Sequence, residues 1–150
     1  MPMCCQPVMK VSLVWHTPNP ERTIAVAMRR CYSTKPIEDI EVELEQKGRE
    51  YWKYLLTRAL QDKSLDVFEH YCLELLIEDT PEAEMRRVAT AYPFIRLLPL
   101  NGRDWLVAMN ARTLIEMWRD EIHKPFASTI VERLNANGTS PVFNSVVFGV

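Results

Sequence analysis

The sequence predicts an α+β domain, a small mixed or antiparallel sheet packed with helices, and three stretches carry that reading. Met9, Val11, Leu13 and Trp15 alternate with Lys10, Ser12, Val14 and His16, the pattern of a strand with one face in a core. Trp105-Leu106-Val107-Ala108-Met109 is a short apolar run fit for a buried strand. Trp52, Leu55, Leu56, Ala59 and Leu60 fall at i, i+3, i+4, i+7 and i+8, which is an amphipathic helix.

The remaining elements follow in order. Residues 1–7 read as a loose leader before the first strand. Asn19-Pro20-Glu21 supplies an N-cap, a first-position proline and a first-turn carboxylate, so a helix starts there. Ile24, Ala25, Met28, Cys31 and Tyr32 form its apolar stripe, and residues 33–36 end it. Residues 37–47 are acidic, with Ile40 and Leu44 as the main apolar points, and predict a solvated helix that Gly48 interrupts. Tyr71, Leu73, Leu75 and Ile77 alternate with Cys72, Glu74 and Leu76 as a second strand, with Glu69 and His70 at its entrance. Thr80-Pro81-Glu82 opens a helix that Pro93 stops. Ala127, Ile130, Val131 and Leu134 share a face of a helix closed by Asn137-Gly138. Residues 142–150 are too apolar to float free and should dock as a strand or pack at a subunit contact.

Composition narrows the function. A chain of 150 residues that is 47% hydrophobic suits one domain with a proper core. A net charge of -2, with Lys and Arg spread rather than blocked, argues against nucleic-acid or anionic-membrane binding. No stretch approaches the ~20 apolar residues of a membrane span. Cys4, Cys5, Cys31 and Cys72 lack a C-x-x-C spacing and read as reduced thiols of a cytoplasmic protein, with Cys31 and Cys72 on apolar faces as buried structural thiols. His16, His70 and His123 form no H-E-x-x-H and no Cys-His pairing, so neither a metal site nor a catalytic Cys-His pair is assigned. Four scattered glycines exclude a phosphate loop of the P-loop or Rossmann kind.

The most informative stretch runs from Leu97 to Arg119. Leu98-Pro99 precedes the apolar strand, Asn110 is a good N-cap, and Leu114, Ile115, Trp118 and Ile122 recur at helical spacing. Asn110 and Arg112 therefore sit at a strand-to-helix corner, where backbone N–H groups and the positive helix end suit an anionic or heterocyclic ligand. The plainer alternative is that Asn110 only caps and Arg112 is a solvated first-turn residue.

Leu98-Pro99 followed by Asn110-Ala111-Arg112-Thr113-Leu114 resembles the "L-P … N-x-R-S-L" segment of flavin-dependent thymidylate synthases. The strand at residues 8–15 and Pro20-Glu21 … Ala25-Val26-Ala27-Met28-Arg29-Arg30-Cys31-Tyr32-Ser33 resemble the family's first strand and its "P-E … A-A-R-x-C-Y-S" helix. Phe68-Glu69-His70 is similar to its "E-H" segment, where the Glu lies near the flavin. The resemblance implies the core of that fold and an activity that makes dTMP by reductive methylation of deoxyuridylate, with FAD carrying the hydride. It implies Glu69, Arg87, Asn110 and Arg112 as flavin-binding residues, Thr90 as a substrate contact, a small nucleotide as ligand, and a homo-oligomer, tetrameric in the family.

The sequence departs from the family where the chemistry should be. The signature R-H-R-x-x-S is replaced by Met85-Arg86-Arg87-Val88-Ala89-Thr90, which keeps Arg87 and a hydroxyl but loses the first Arg and the His. No room remains between Thr90 and Leu97 for the S-x-R-Y segment and the helical insertion that follows it. Ile95 stands where the family has a phosphate-binding Arg, and Ser64 and Asp66 replace residues that flank the flavin. Arg119 falls two residues before the family's uracil-binding Arg, a turn of about 200° on a continuous helix, and Glu121 holds that register. No catalytic residue is assigned. Two functions remain: a synthase-like protein that retains flavin or nucleotide binding without methylating deoxyuridylate, and a non-catalytic structural or regulatory oligomeric partner.

Overall fold

A computed structural model describes residues 9–150; the leader at residues 1–7, together with Cys4, Cys5 and Val8, lies outside the described residues. Strand β1 (Lys10–His16) leads into helices α1 (Pro20–Cys31), α2 (Ile37–Lys47) and α3 (Arg49–Gln61). A 3₁₀ turn (Leu65–His70) feeds β2 (Cys72–Glu78), and α4 (Glu82–Ala91) precedes β3 (Arg96–Pro99) and β4 (Trp105–Asn110). Helices α5 (Ala111–Arg119), α6 (Lys124–Ala136) and α7 (Pro141–Phe148) complete the chain. The strands form one sheet in the order β1-β2-β4-β3, antiparallel throughout, so the fold is α+β.

One sheet face is the core. Val11, Leu73, Leu75, Ile77, Trp105, Val107 and Met109 are buried there with the apolar stripes of α1, α3, α5 and α6. The 3₁₀ turn contributes Phe68, which is fully buried, and Tyr71, between that turn and β2, is buried too, which pushes its hydroxyl up to about 12. Gly48, at φ 76, lets α2 and α3 meet at a sharp corner that a side chain would strain.

Several expectations need correction. Trp15 does not face the core: an extra residue at Val14 bulges β1 between Leu13, opposite Leu75, and Trp15, opposite Glu74, and turns Trp15 outward. Asn19 precedes α1 but adopts a left-handed backbone and makes no side-chain cap. Cys31, Tyr32 and Cys72 are exposed, because α1 ends at Cys31 and Cys72 alternates with buried Tyr71 and Leu73. Helix α5 stops at Arg119, since Asp120 is extended and its carboxylate accepts the Ile122 N–H at 3.0 Å, which leaves Ile122 75% exposed. Glu121 therefore lies in a turn, and no continuous helix relates it to Arg119.

The apolar C-terminus is a helix rather than a strand. Buried Glu21, expected only as a first-turn carboxylate of α1, accepts the Val142 and Phe143 N–H groups at 2.9 and 3.1 Å and so satisfies the first turn of α7 across 121 and 122 residues of chain. Phe143 then packs edge-on to Tyr71 at 5.0 Å and to Phe148 at 5.6 Å, and Phe148 meets Trp118 at 5.1 Å. Phe143 and Phe148 are thereby buried inside the chain.

Candidate functional site

The corner between β4 and α5 is built as the local sequence demands. Asn110 ends β4 in extended backbone, and its side-chain oxygen accepts the Thr113 N–H at 2.9 Å, so it is a true N-cap. The Ala111 N–H donates to the Tyr71 carbonyl at 2.7 Å, and Asn110 lies opposite Cys72 in the ladder. The first turn of α5 is thus pinned beside the 3₁₀ turn. From there Arg112 reaches back to Glu69, with Nη1 donating to Oε1 at 2.8 Å, and its Nε donates to Glu116 at 3.1 Å. The guanidinium sits between two carboxylates, whose hydrogen bonds, Glu116 before Glu69, raise its pKa further. All three side chains are about 40% exposed, so solvent reaches the chain of charges.

Behind the same turn lies a cavity of about 390 Å³. Val26 and Ala27 from α1, Ile37 from α2 and Val67 give it apolar walls, and Arg30, Cys31, Glu41, Asp66 and His70 give it polar ones. Residues three apart eclipse one another on a 3₁₀ helix, so Asp66 in the cavity wall and Glu69 at the corner share one side of the turn. Cavity and corner are linked through this turn: Asp66, Val67 and His70 line the cavity, while Glu69, Asn110 and Arg112 do not. The cavity is of the size that holds a ring system. Its four charged side chains balance, Arg22 and Arg30 against Glu41 and Asp66, and Arg22 is already paired to Glu45 at 2.8 Å.

The structure brings Glu69, Asn110 and Arg112 together, and it does not bring Arg87 or Thr90 to them. Both lie on the exposed side of α4, with no hydrogen bond or ion pair to the corner among the described residues. Helix α4 instead buries Met85 and Val88, and Tyr92, just after its end, donates its hydroxyl to Asp120 at 2.7 Å, at the far end of α5. Arg112 and Arg119 stand seven residues apart on α5, about 10 Å along the helix axis, and Asp120 follows Arg119. Ile95 is buried in the core. Sequence reasoning missed the cavity walls. The signal was present in Thr23, Val26, Ala27 and Arg30, a second stripe on α1 off the buried line of Ile24, Ala25 and Met28. Among the described residues no group of three or more His, Cys, Asp or Glu side chains could hold a metal ion, and no helix is long and apolar enough to cross a membrane.

Fold and site define an α+β domain with a ring-sized cavity beside an ion-paired helix start. The family model described as thymidylate synthase complementing protein matches residues 12–91, just over half of the chain. The chain belongs to that family, the flavin-dependent thymidylate synthases. The match runs from β1 to the end of α4 and includes Glu69, Arg87 and Thr90, while Asn110 and Arg112 lie beyond it. No curated protein matches the chain.

Proposed function

We propose that this family member binds the ring system of a flavin over the 3₁₀ turn and does not methylate deoxyuridylate. The observation that carries the reading is the Glu69–Arg112–Glu116 chain of charges beside the cavity. A flavin ring has apolar faces and an edge of carbonyl oxygens and N–H groups. Val26, Ala27, Ile37 and Val67 suit the faces, while the remaining donors of Arg112 and the two carboxylates suit the edge. FAD, the flavin that the resemblance implies, supplies hydride-transfer chemistry when bound. Its diphosphate fits less well, because Arg112 is already neutralised and the cavity offers no net positive charge, Glu41 pairing with Arg22 at 3.6 Å and Asp66 offsetting Arg30. The same lack of net positive charge disfavours a nucleotide, so no reaction step is assigned.

Loss of methylation is supported by the missing signature residues and by the lack, among the described residues, of any hydrogen bond or ion pair from Arg87 or Thr90 to the corner. Positioning of reactants contributes on the order of 7–11 kcal/mol to such barriers, and the chain holds too little of that machinery. The proposal includes homo-oligomeric assembly, tetrameric as in the family, in the cytoplasm, where exposed Cys31 and Cys72 stay reduced. A second reading, a non-catalytic structural or regulatory partner without ligand, is favoured by the same internal pairing of Arg112. The absorbance spectrum of freshly purified protein separates the two. A flavin band is expected; colourless protein that takes up no added FAD supports the second reading, and turnover of deoxyuridylate overturns the loss of methylation.

A further inference from the structure

The helices cover one face of the sheet, and the other face carries two cross-strand rows of side chains. One row is Trp15, Glu74, Ala108 and Arg96; the next is Ser12, Leu76, Leu106 and Leu98. Trp15, at 47%, and Leu98, at 58%, are strongly exposed, as is Val14 in the bulge, and a shallow groove of about 260 Å³ runs among Val14, Glu74, Arg96, Leu98 and Leu106. Exposed apolar side chains gathered in this way mark a contact surface.

The rows have an internal symmetry about β4. Neighbouring strands are about 4.8 Å apart, so Glu74 on β2 and Arg96 on β3 flank Ala108 at equal distances and with opposite charge. Neither makes an ion pair among the described residues. Leu76 and Leu98 flank Leu106 in the same manner. A two-fold axis along β4, lying between two facing sheets, sets Ala108 on Ala108 and Leu106 on Leu106 and exchanges the flanks. Each Glu74 then faces an Arg96 of the second copy, and each Leu76 faces a Leu98. Facing sheets pack in this near-aligned way, and a two-fold contact must be self-complementary. Association through the sheet edges is blunted, since β1 is bulged at Val14 and β3 carries Pro99.

We infer that this open sheet face is the two-fold contact between two copies of the chain, closed by two crossed Glu74–Arg96 pairs around a Leu76, Leu98 and Leu106 centre. The inference rests on the homo-oligomeric part of the proposed function and names its surface. Sedimentation velocity of Glu74→Arg, Arg96→Glu and the double variant tests it, with Leu106→Asp as a charge-independent check and circular dichroism as the control for folding at these surface positions. Each single reversal sets like charges opposite each other twice and should raise the dissociation constant at least about tenfold. The double variant should recover assembly, and Leu106→Asp should lose it. A double variant that stays dissociated overturns the crossed pairing. If the single variants and Leu106→Asp all assemble as the parent does, the interface lies elsewhere and the homo-oligomer stands. A parent protein that sediments as a 17.5 kDa chain overturns both.

Discussion

Arg112, on the first turn of α5, is bonded to Glu69, 43 residues earlier in the chain, at 2.8 Å. The pair joins the helix that begins after β4 to the turn that precedes β2, so two segments far apart in sequence form one corner. The first consequence concerns stability. Both side chains are well solvated, and such pairs contribute about 0–1 kcal/mol, whereas the Asn110 cap contributes about 0.5–2 kcal/mol.

Asn110→Ala should therefore lower the melting temperature more than Arg112→Ala does, by a few degrees at roughly 2–4 °C per kcal/mol for a chain of this size. Differential scanning calorimetry of the two variants decides the order. A larger loss from Arg112→Ala would mean that the ion pairs hold the fold.

Glu21 gives the second prediction. Its buried carboxylate is the shared acceptor for the Val142 and Phe143 N–H groups. Glu21→Ala strands those donors and should cost about 1–3 kcal/mol. Amide exchange should accelerate at Val142 and Phe143 before it does in β2 or β4. Unchanged protection in α7 would contradict the assignment.

The third prediction is a pH dependence at the turn after α5. The His123 and Tyr92 side chains hydrogen-bond the Asp120 carboxylate at 2.8 and 2.7 Å and hold its pKa down to about 2, from an ordinary 3.8. A carboxyl with a depressed folded value stabilises the fold above its unfolded pKa and loses that contribution as the pH falls through the folded one. The stability gap between the parent and Asp120→Asn should be full near neutrality and shrink between about pH 4 and 2. Urea titrations across that interval test it, and a gap that holds constant would remove the His123–Asp120–Tyr92 link as its source.

Much of this architecture was legible in the sequence wherever one local rule decided the matter. The alternation of Tyr71, Leu73, Leu75 and Ile77 placed β2, the stripe of Trp52, Leu55, Leu56 and Ala59 placed α3, and Asn110 caps α5 as its chemistry suggests. The failures came where a distant partner decided. Trp15 reads inward until the bulge at Val14 is known, and residues 142–150 read as a strand or a subunit contact until Glu21 supplies the acceptor for a helix start. The site divides in the same way. Glu69, Asn110 and Arg112 could be named singly, but that Arg112 is shared between Glu69 and Glu116, and that a cavity lies behind their turn, depends on packing across α1, α2 and the 3₁₀ segment.

The central claim is that the cavity beside this corner takes a flavin ring. Ala27 lies in the cavity wall, on the side of α1 away from the sheet core, so Ala27→Trp fills the space without touching Glu69 or Arg112. Titration of FAD against the parent and Ala27→Trp, followed by quenching of flavin fluorescence, measures the claim directly. Saturable binding by the parent, weakened at least about tenfold in the variant with melting temperature preserved, is the predicted result. A parent that binds no flavin, or a variant that binds it equally well, would contradict it.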